Sequence, residues 1–228
     1  MQHLLLLHGA IGAKDQLDSL AVGLKDKYIV HAINFSGHGG AAFPENGFSI
    51  SCFANDAVSY IQQNDLKTIN IFGYSLGGYV AMYLARHYPK IISRVITLAT
   101  KFYWDQIIAA KEIMMLDANS ILEKLPSFAK TLEQRHFPND WKTVLDKTKG
   151  MLLQLGISNK LQLKDYTNIF TPCLLLLGDK DKMISPDETV AVQRALPEAR
   201  FKLLPDTPHP IEQVNMQLLC SLIKDFVN

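Results

Sequence analysis

Three residue types that together can activate a hydroxyl group lie far apart in this chain, each beside the end of an apolar segment. Ser75 sits in Gly73-Tyr74-Ser75-Leu76-Gly77. The run from Thr68 to Phe72 before it reads as a buried strand, and Tyr79 to His87 after it carries apolar side chains at helical spacing. A strand that passes straight into a helix strains its turn residue. Glycines two before and two after the serine remove side chains that would collide there. The hydroxyl then projects from the sheet end, beside the amino end of the helix. Such a hydroxyl is a weak nucleophile at neutral pH, so it needs a base, and the base needs an orienting acid. Asp179 and Asp181 follow the leucine run that ends at Gly178, and Asp206 lies further on. His209 stands in Pro208-His209-Pro210, after a last short strand at Phe201 to Pro205. His3 and His31 read as strand residues, and His87 and His136 as helical ones. His8 and His38 follow earlier strands, and His209 is the only histidine after the last short strand.

Bringing such residues together requires strands whose carboxyl ends share one rim. The pattern supplies them. Strands are expected at 3–8, 28–34, 68–73, 93–99, 172–178 and 200–205. Helices are expected near 14–26, 49–64, 76–88, 186–196 and 211–227, with a helical stretch over 102–166. Alternating strand and helix predicts an α/β fold: a mostly parallel, doubly wound sheet of about six strands, covered on both faces. Ser75, the aspartates and His209 then all fall just past strand ends, along one edge.

The segments Leu4-Leu5-Leu6-Leu7-His8-Gly9-Ala10 and Asn34-Phe35-Ser36-Gly37-His38-Gly39 join the serine turn, the Gly178-to-Asp181 turn and the His209 loop. With these in place, the chain resembles the α/β-hydrolase fold superfamily over nearly its whole length, as a small capped serine-triad member. The resemblance implies a core of residues 1–101 and 167–228 with a cap inserted at 102–166. Members usually carry two antiparallel strands ahead of the His-Gly strand, so the sheet is expected to be trimmed at that edge. Ser75 is implied as nucleophile, His209 as base and Asp181, the second aspartate of its turn, as orienting acid. Asp179 would brace the turn backbone. The backbone N–H groups of Leu76 and Ala10 would form the oxyanion hole. His8 would be structural, and His38 belongs to a turn that could rim the pocket. Phe102, Tyr103 and Trp104 leave the fourth strand at its active-site end, where they could touch substrate. Glu212 is expected in the first turn of the final helix.

These readings point to a serine hydrolase acting on a small to medium carboxylic ester or related acyl compound. Its proposed course is an acyl-enzyme intermediate with no cofactor and no metal. A carbon–carbon bond hydrolase or elimination enzyme of the same fold, or a non-catalytic small-ligand sensor, stays open as an alternative. The composition fits a compact enzyme: 228 residues, 48% hydrophobic and 20% charged. A formal net charge of +1 gives no reason to expect nucleic acid or an anionic membrane as partner. No apolar run approaches the roughly 20 residues of a membrane span. Cys52, Cys173 and Cys220 form no zinc or disulfide pattern. A cytoplasmic monomer or homodimer that takes a small-molecule acyl substrate is the expectation.

Overall fold

A computed structural model describes residues 1–227. Its strands are β1 (Gln2–Leu7), β2 (Tyr28–Ala32), β3 (Ile69–Tyr74), β4 (Ile92–Leu98), β5 (Cys173–Gly178) and β6 (Ala199–Leu204). They form one six-stranded sheet in the order β2-β1-β3-β4-β5-β6, and every neighbouring pair is parallel. The helices are α1 (Asp18–Leu24), α2 (Ile50–Gln63), α3 (Leu76–His87), α4 (Gln106–Met114), α5 (Ala118–Lys124) and α6 (Pro126–His136). They continue with α7 (Trp141–Ile157), α8 (Leu163–Tyr166), α9 (Pro186–Ala195) and α10 (Met216–Val227).

The continuous apolar runs of β1, β3 and β5 follow from burial on both faces. All six residues of β3 and of β5 are buried, as are Leu4 to Leu7 of β1. Their side chains alternate between two cores. Leu5, Leu7, Ile71, Val95 and Leu175 face one core with α2, α3 and α9. Leu4, Leu6, Phe72, Ile96 and Leu176 face the other, against Leu20 and Leu24 of α1 and Leu219 and Ile223 of α10. The helices of the 102–166 insertion join the first core through Trp104, Ala109, Leu132, Trp141 and Leu155. Among the described residues no helix is long and apolar enough to cross a membrane.

Two boundaries differ from expectation. The segment 14–26 divides into a 3-10 turn, Lys14–Leu17, and α1. The final segment divides as well, into a 3-10 turn at Ile211–Gln213 and then α10. The backbone is extended at Val214, and the Asn215 side chain accepts from Leu218 N at 3.0 Å, which starts the helix afresh. Glu212 therefore lies in the 3-10 turn, not in the first turn of α10.

Candidate active site

Ser75 joins β3 directly to α3, with φ 51° and ψ −115°, in the left-handed region that a non-glycine residue rarely enters. The surrounding glycines explain how the chain accommodates this. A Cβ on Gly73 would collide with the Gly77 backbone, one on Gly77 with the Leu7 carbonyl, and one on Gly78 with Thr100. The turn is tied to the sheet by Ser75 N–H, which donates to Leu98 O at 2.8 Å. Strain of this kind costs on the order of 1–3 kcal/mol and persists only where the surroundings over-determine it.

The loops after β5 and β6 are stitched together. Thr207 N–H donates to Asp179 Oδ1 at 3.0 Å, and Lys180 N–H donates to Thr207 O at 3.1 Å. Gly178 leaves room for that carbonyl, which a Cβ would meet. Above this seam His209 Nδ1 lies 2.8 Å from Asp181 Oδ2. The other carboxylate oxygen accepts from the N–H groups of Met183 at 2.8 Å and Ile184 at 3.0 Å. Burial alone would raise the Asp181 carboxyl. The His209 hydrogen bond and charge, with the two N–H groups, bring it below the ordinary aspartate value. Tyr74, next to the serine, donates from its hydroxyl to the His209 carbonyl at 3.1 Å. Asp206 is turned away, paired with Lys180 at 2.6 Å on the surface. Of the three sequence candidates, Asp181 alone contacts the His209 ring.

The loop after β1 is held by three imidazoles, one on each of three consecutive carbonyls. His8 Nδ1 lies 2.8 Å from Gly9 O, His38 Nε2 lies 2.7 Å from Ala10 O, and His136 Nε2 lies 3.2 Å from Ile11 O. His8 Nε2 accepts from Phe35 N–H at 3.1 Å, and His136 Nδ1 from Gly39 N–H at 3.2 Å, so each is a neutral ring with its proton on the loop side. Burial drives all three below the ordinary histidine value, His136 to about 4. Gly12 N–H closes the turn on Gly9 O at 3.1 Å. In a trans peptide the N–H points opposite to the C=O, so pinning the Gly9 carbonyl also fixes the direction of Ala10 N–H. Neither Ala10 N–H nor Leu76 N–H has a protein acceptor among the described residues, and both residues line the cavity. His38 does not rim the pocket. It is fully buried beneath the loop.

That cavity, of about 330 Å³, is lined by Ser75 and His209 together with residues of the insertion. No hydrogen bond joins the serine hydroxyl to the His209 ring among the described residues; such contacts commonly tighten only when substrate is bound. Trp104 is on the wall. Phe102 and Tyr103 are not, which corrects the expectation for both. Phe102 is buried and packs edge-on against Tyr166 at 5.9 Å, while Tyr103 faces solvent. Their backbone N–H groups are held by the Glu188 carboxylate, which fixes how the chain leaves β4. The remaining wall is apolar, from Met115, Leu116, Phe128, Leu152 and Ile184, with paired charges at its edges. Lys101 meets Glu112 at 3.4 Å, and Arg135 meets Asp15 at 3.0 Å. Gln16 Nε2 donates to Glu212 at 3.0 Å. Sequence reasoning missed these lining residues, because nothing in their spacing distinguishes them from an amphipathic helix surface. Among the described residues no group of three or more His, Cys, Asp or Glu could hold a metal ion.

A family model described as alpha/beta hydrolase fold matches residues 2–155. The chain is 20% identical, over 99% of its length and 87% of the relative's, to a 2-(acetamidomethylene)succinate hydrolase from Mesorhizobium japonicum. It is 26% identical to a pimeloyl-[acyl-carrier protein] methyl ester esterase from Neisseria meningitidis, over 97% of this chain and 92% of that protein. Its backbone matches the crystal structure of the enol-lactonase from Burkholderia xenovorans LB400 with a TM-score of 0.78, at 18% identity, covering 99% and 91% of the two chains. At that identity the structural likeness speaks to fold.

Proposed function

This chain belongs to the alpha/beta hydrolase fold family, and we propose that it hydrolyses a small to medium carboxylic ester or related acyl compound through an acyl-enzyme on Ser75. The reading rests on one observation. His209 Nδ1 bonds Asp181 at 2.8 Å, and His209 and Ser75 line one cavity. In this mechanism Ser75 Oγ attacks the carbonyl carbon while His209 Nε2 takes the hydroxyl proton. The Nδ1–H stays on the Asp181 carboxylate, which fixes the tautomer and stabilises the imidazolium. Charge developing on the carbonyl oxygen meets the free N–H groups of Ala10 and Leu76, each worth about 10²–10³-fold in rate. His209 then protonates the leaving group and next activates the water that releases Ser75.

The apolar part of the wall supports the substrate class. An apolar surface bearing Trp104, Leu116, Phe128 and Leu152 suits an uncharged acyl or alcohol portion of modest size. Relatives named as a methyl ester esterase and as a 2-(acetamidomethylene)succinate hydrolase agree with attack at a carbonyl. A panel of nitrophenyl esters of increasing chain length, run beside thioesters, tests the reading. Turnover is expected to peak at one chain length that fits the cavity and to vanish in Ser75→Ala. Folded protein that turns over no acyl compound contradicts it.

A further inference from the structure

One buried histidine of the insertion has an arrangement that the proposed mechanism does not use. His136 is the last residue of α6, in the insertion, and it is 1% exposed. One ring nitrogen contacts Ile11 O of the loop after β1, and the other contacts Gly39 N–H of the loop after β2. Its ring also stands edge-on to His38 at 5.7 Å. His38 in turn holds Ala10 O, the neighbouring carbonyl of the same loop. The Ile11 carbonyl belongs to the peptide whose N–H, on Gly12, closes the turn onto Gly9 O. Freeing Ile11 O would therefore loosen the peptide that fixes the Gly9 carbonyl, and with it the direction of Ala10 N–H.

We propose that His136 is a positioning residue through which the insertion sets the oxyanion loop: its Nε2–H locks the Gly9–Gly12 turn so that Ala10 N–H faces the cavity. The proposal deepens the serine hydrolase reading and, for its effect on rate, rests on it. The insertion then does two jobs. It walls the cavity with apolar side chains, and it holds half of the oxyanion hole in register. A chain whose insertion swings away from the core would lose the Ile11 clamp at the same moment, so the site would be competent only with the insertion seated.

The two ring nitrogens can be separated chemically. Glutamine carries an amide nitrogen near the place of Nε2, and asparagine carries an amide oxygen near the place of Nδ1. His136→Gln should keep the donor to Ile11 and lose the acceptor for Gly39. His136→Asn should do the reverse. The rate of Ser75 labelling by a fluorophosphonate is read in the full chain, with amide hydrogen exchange at Gly12 and Gly39 by NMR. The expected result is near-normal labelling in His136→Gln and a loss of about 10-fold to 100-fold in His136→Asn. Gly12 exchange should quicken only in His136→Asn, and Gly39 exchange only in His136→Gln. Equal labelling in all three proteins, or a glutamine variant as slow as the asparagine one, overturns the proposal. A wild type that takes no label defeats the hydrolase reading instead, and unchanged Gly12 exchange in His136→Asn still defeats the clamp. A variant-free check covers poor folding of either mutant. Imidazole nitrogen shifts of the wild type should report His136 protonated at Nε2, and an Nδ1–H tautomer overturns the proposal.

Discussion

The two halves of the cavity floor are built by opposite strategies. On the acid side, the loops after β5 and β6 hold each other by short contacts: Asp179 to Thr207, Lys180 to Thr207, and Asp181 to His209. One buried carboxylate makes the decisive bond, and all partners lie within the last part of the chain. On the oxyanion side, three buried imidazoles, from the loop after β1 itself, the loop after β2 and the end of α6, brace consecutive carbonyls of a single loop. The first half uses charge where a proton must move. The second uses imidazole side chains to fix backbone direction. The contrast assigns each half its own sensitivity to mutation and to pH.

The sharpest break is within the acid side itself. Asp181→Asn should lower kcat by about 10³–10⁴-fold, because the amide cannot hold the same His209 tautomer. Asp179→Asn, two residues away, should lower kcat by less than about 10-fold and weaken stability only slightly, because the amide oxygen can still accept from Thr207 N–H. Steady-state kinetics with a nitrophenyl ester and denaturant melts of both variants check this. Equal rate losses would mean that the two carboxylates are not divided as their contacts indicate.

Gly178→Ala comes next. Its Cβ would meet the Thr207 carbonyl and force the two acid-side loops apart, at a cost of about 1–3 kcal/mol. Urea unfolding should show the loss, together with a lowered kcat as His209 shifts with its loop. An alanine variant as stable and active as wild type would show that the seam carries no tension.

The pH dependence separates the halves most directly. For His136 the folded value, about 4, lies below the ordinary 6.5. Between those values the unfolded chain binds a proton that the folded chain does not, so stability is present above pH 6.5 and lost as the pH falls toward 4. One such group gives a slope of about 1.4 kcal/mol per pH unit. His8 and His38 act in the same direction. Asp181 also has a lowered value, but its contribution is lost only as the pH falls below the ordinary 3.8. Urea midpoints from pH 7 to 4 should therefore fall more gently in His136→Gln than in wild type, and remain parallel in Asp181→Asn. Identical slopes in wild type and His136→Gln would contradict the neutral, buried state of that ring.

The smallest effect belongs to the surface. Lys180→Ala removes the exposed pair with Asp206 and should change stability little. Thermal melts at low and high salt check it, since a larger or salt-insensitive loss would mean that the pair supports the His209 loop.

The acid half was more legible in the sequence than the oxyanion half. Gly73, Ser75 and Gly77 announce their turn because only small residues fit the backbone approach there. Asp179, Asp181 and His209 follow apolar strands whose parallel packing leaves their ends on one rim. The sheet itself was readable because strands buried on both faces must be continuously apolar, as β3 and β5 are. Of the bracing histidines, the resemblance pointed to a structural role for His8, while His38 and His136 gave no such signal. His136 looks like any residue on a helix, since its partners are backbone atoms of Ile11 and Gly39, about a hundred residues away. Phe102 and Tyr103 misled for a related reason. Position at a strand end does not fix the direction of a side chain, and Glu188 turns that segment so that only Trp104 reaches the wall.

One measurement bears on the centre of the account: mass spectrometry of the intact protein and its peptides after reaction with a fluorophosphonate. A single adduct on the peptide carrying Ser75 is expected, absent in Ser75→Ala and formed far more slowly in His209→Ala. Folded wild type that takes no adduct, or takes it at another residue, would contradict an activated Ser75.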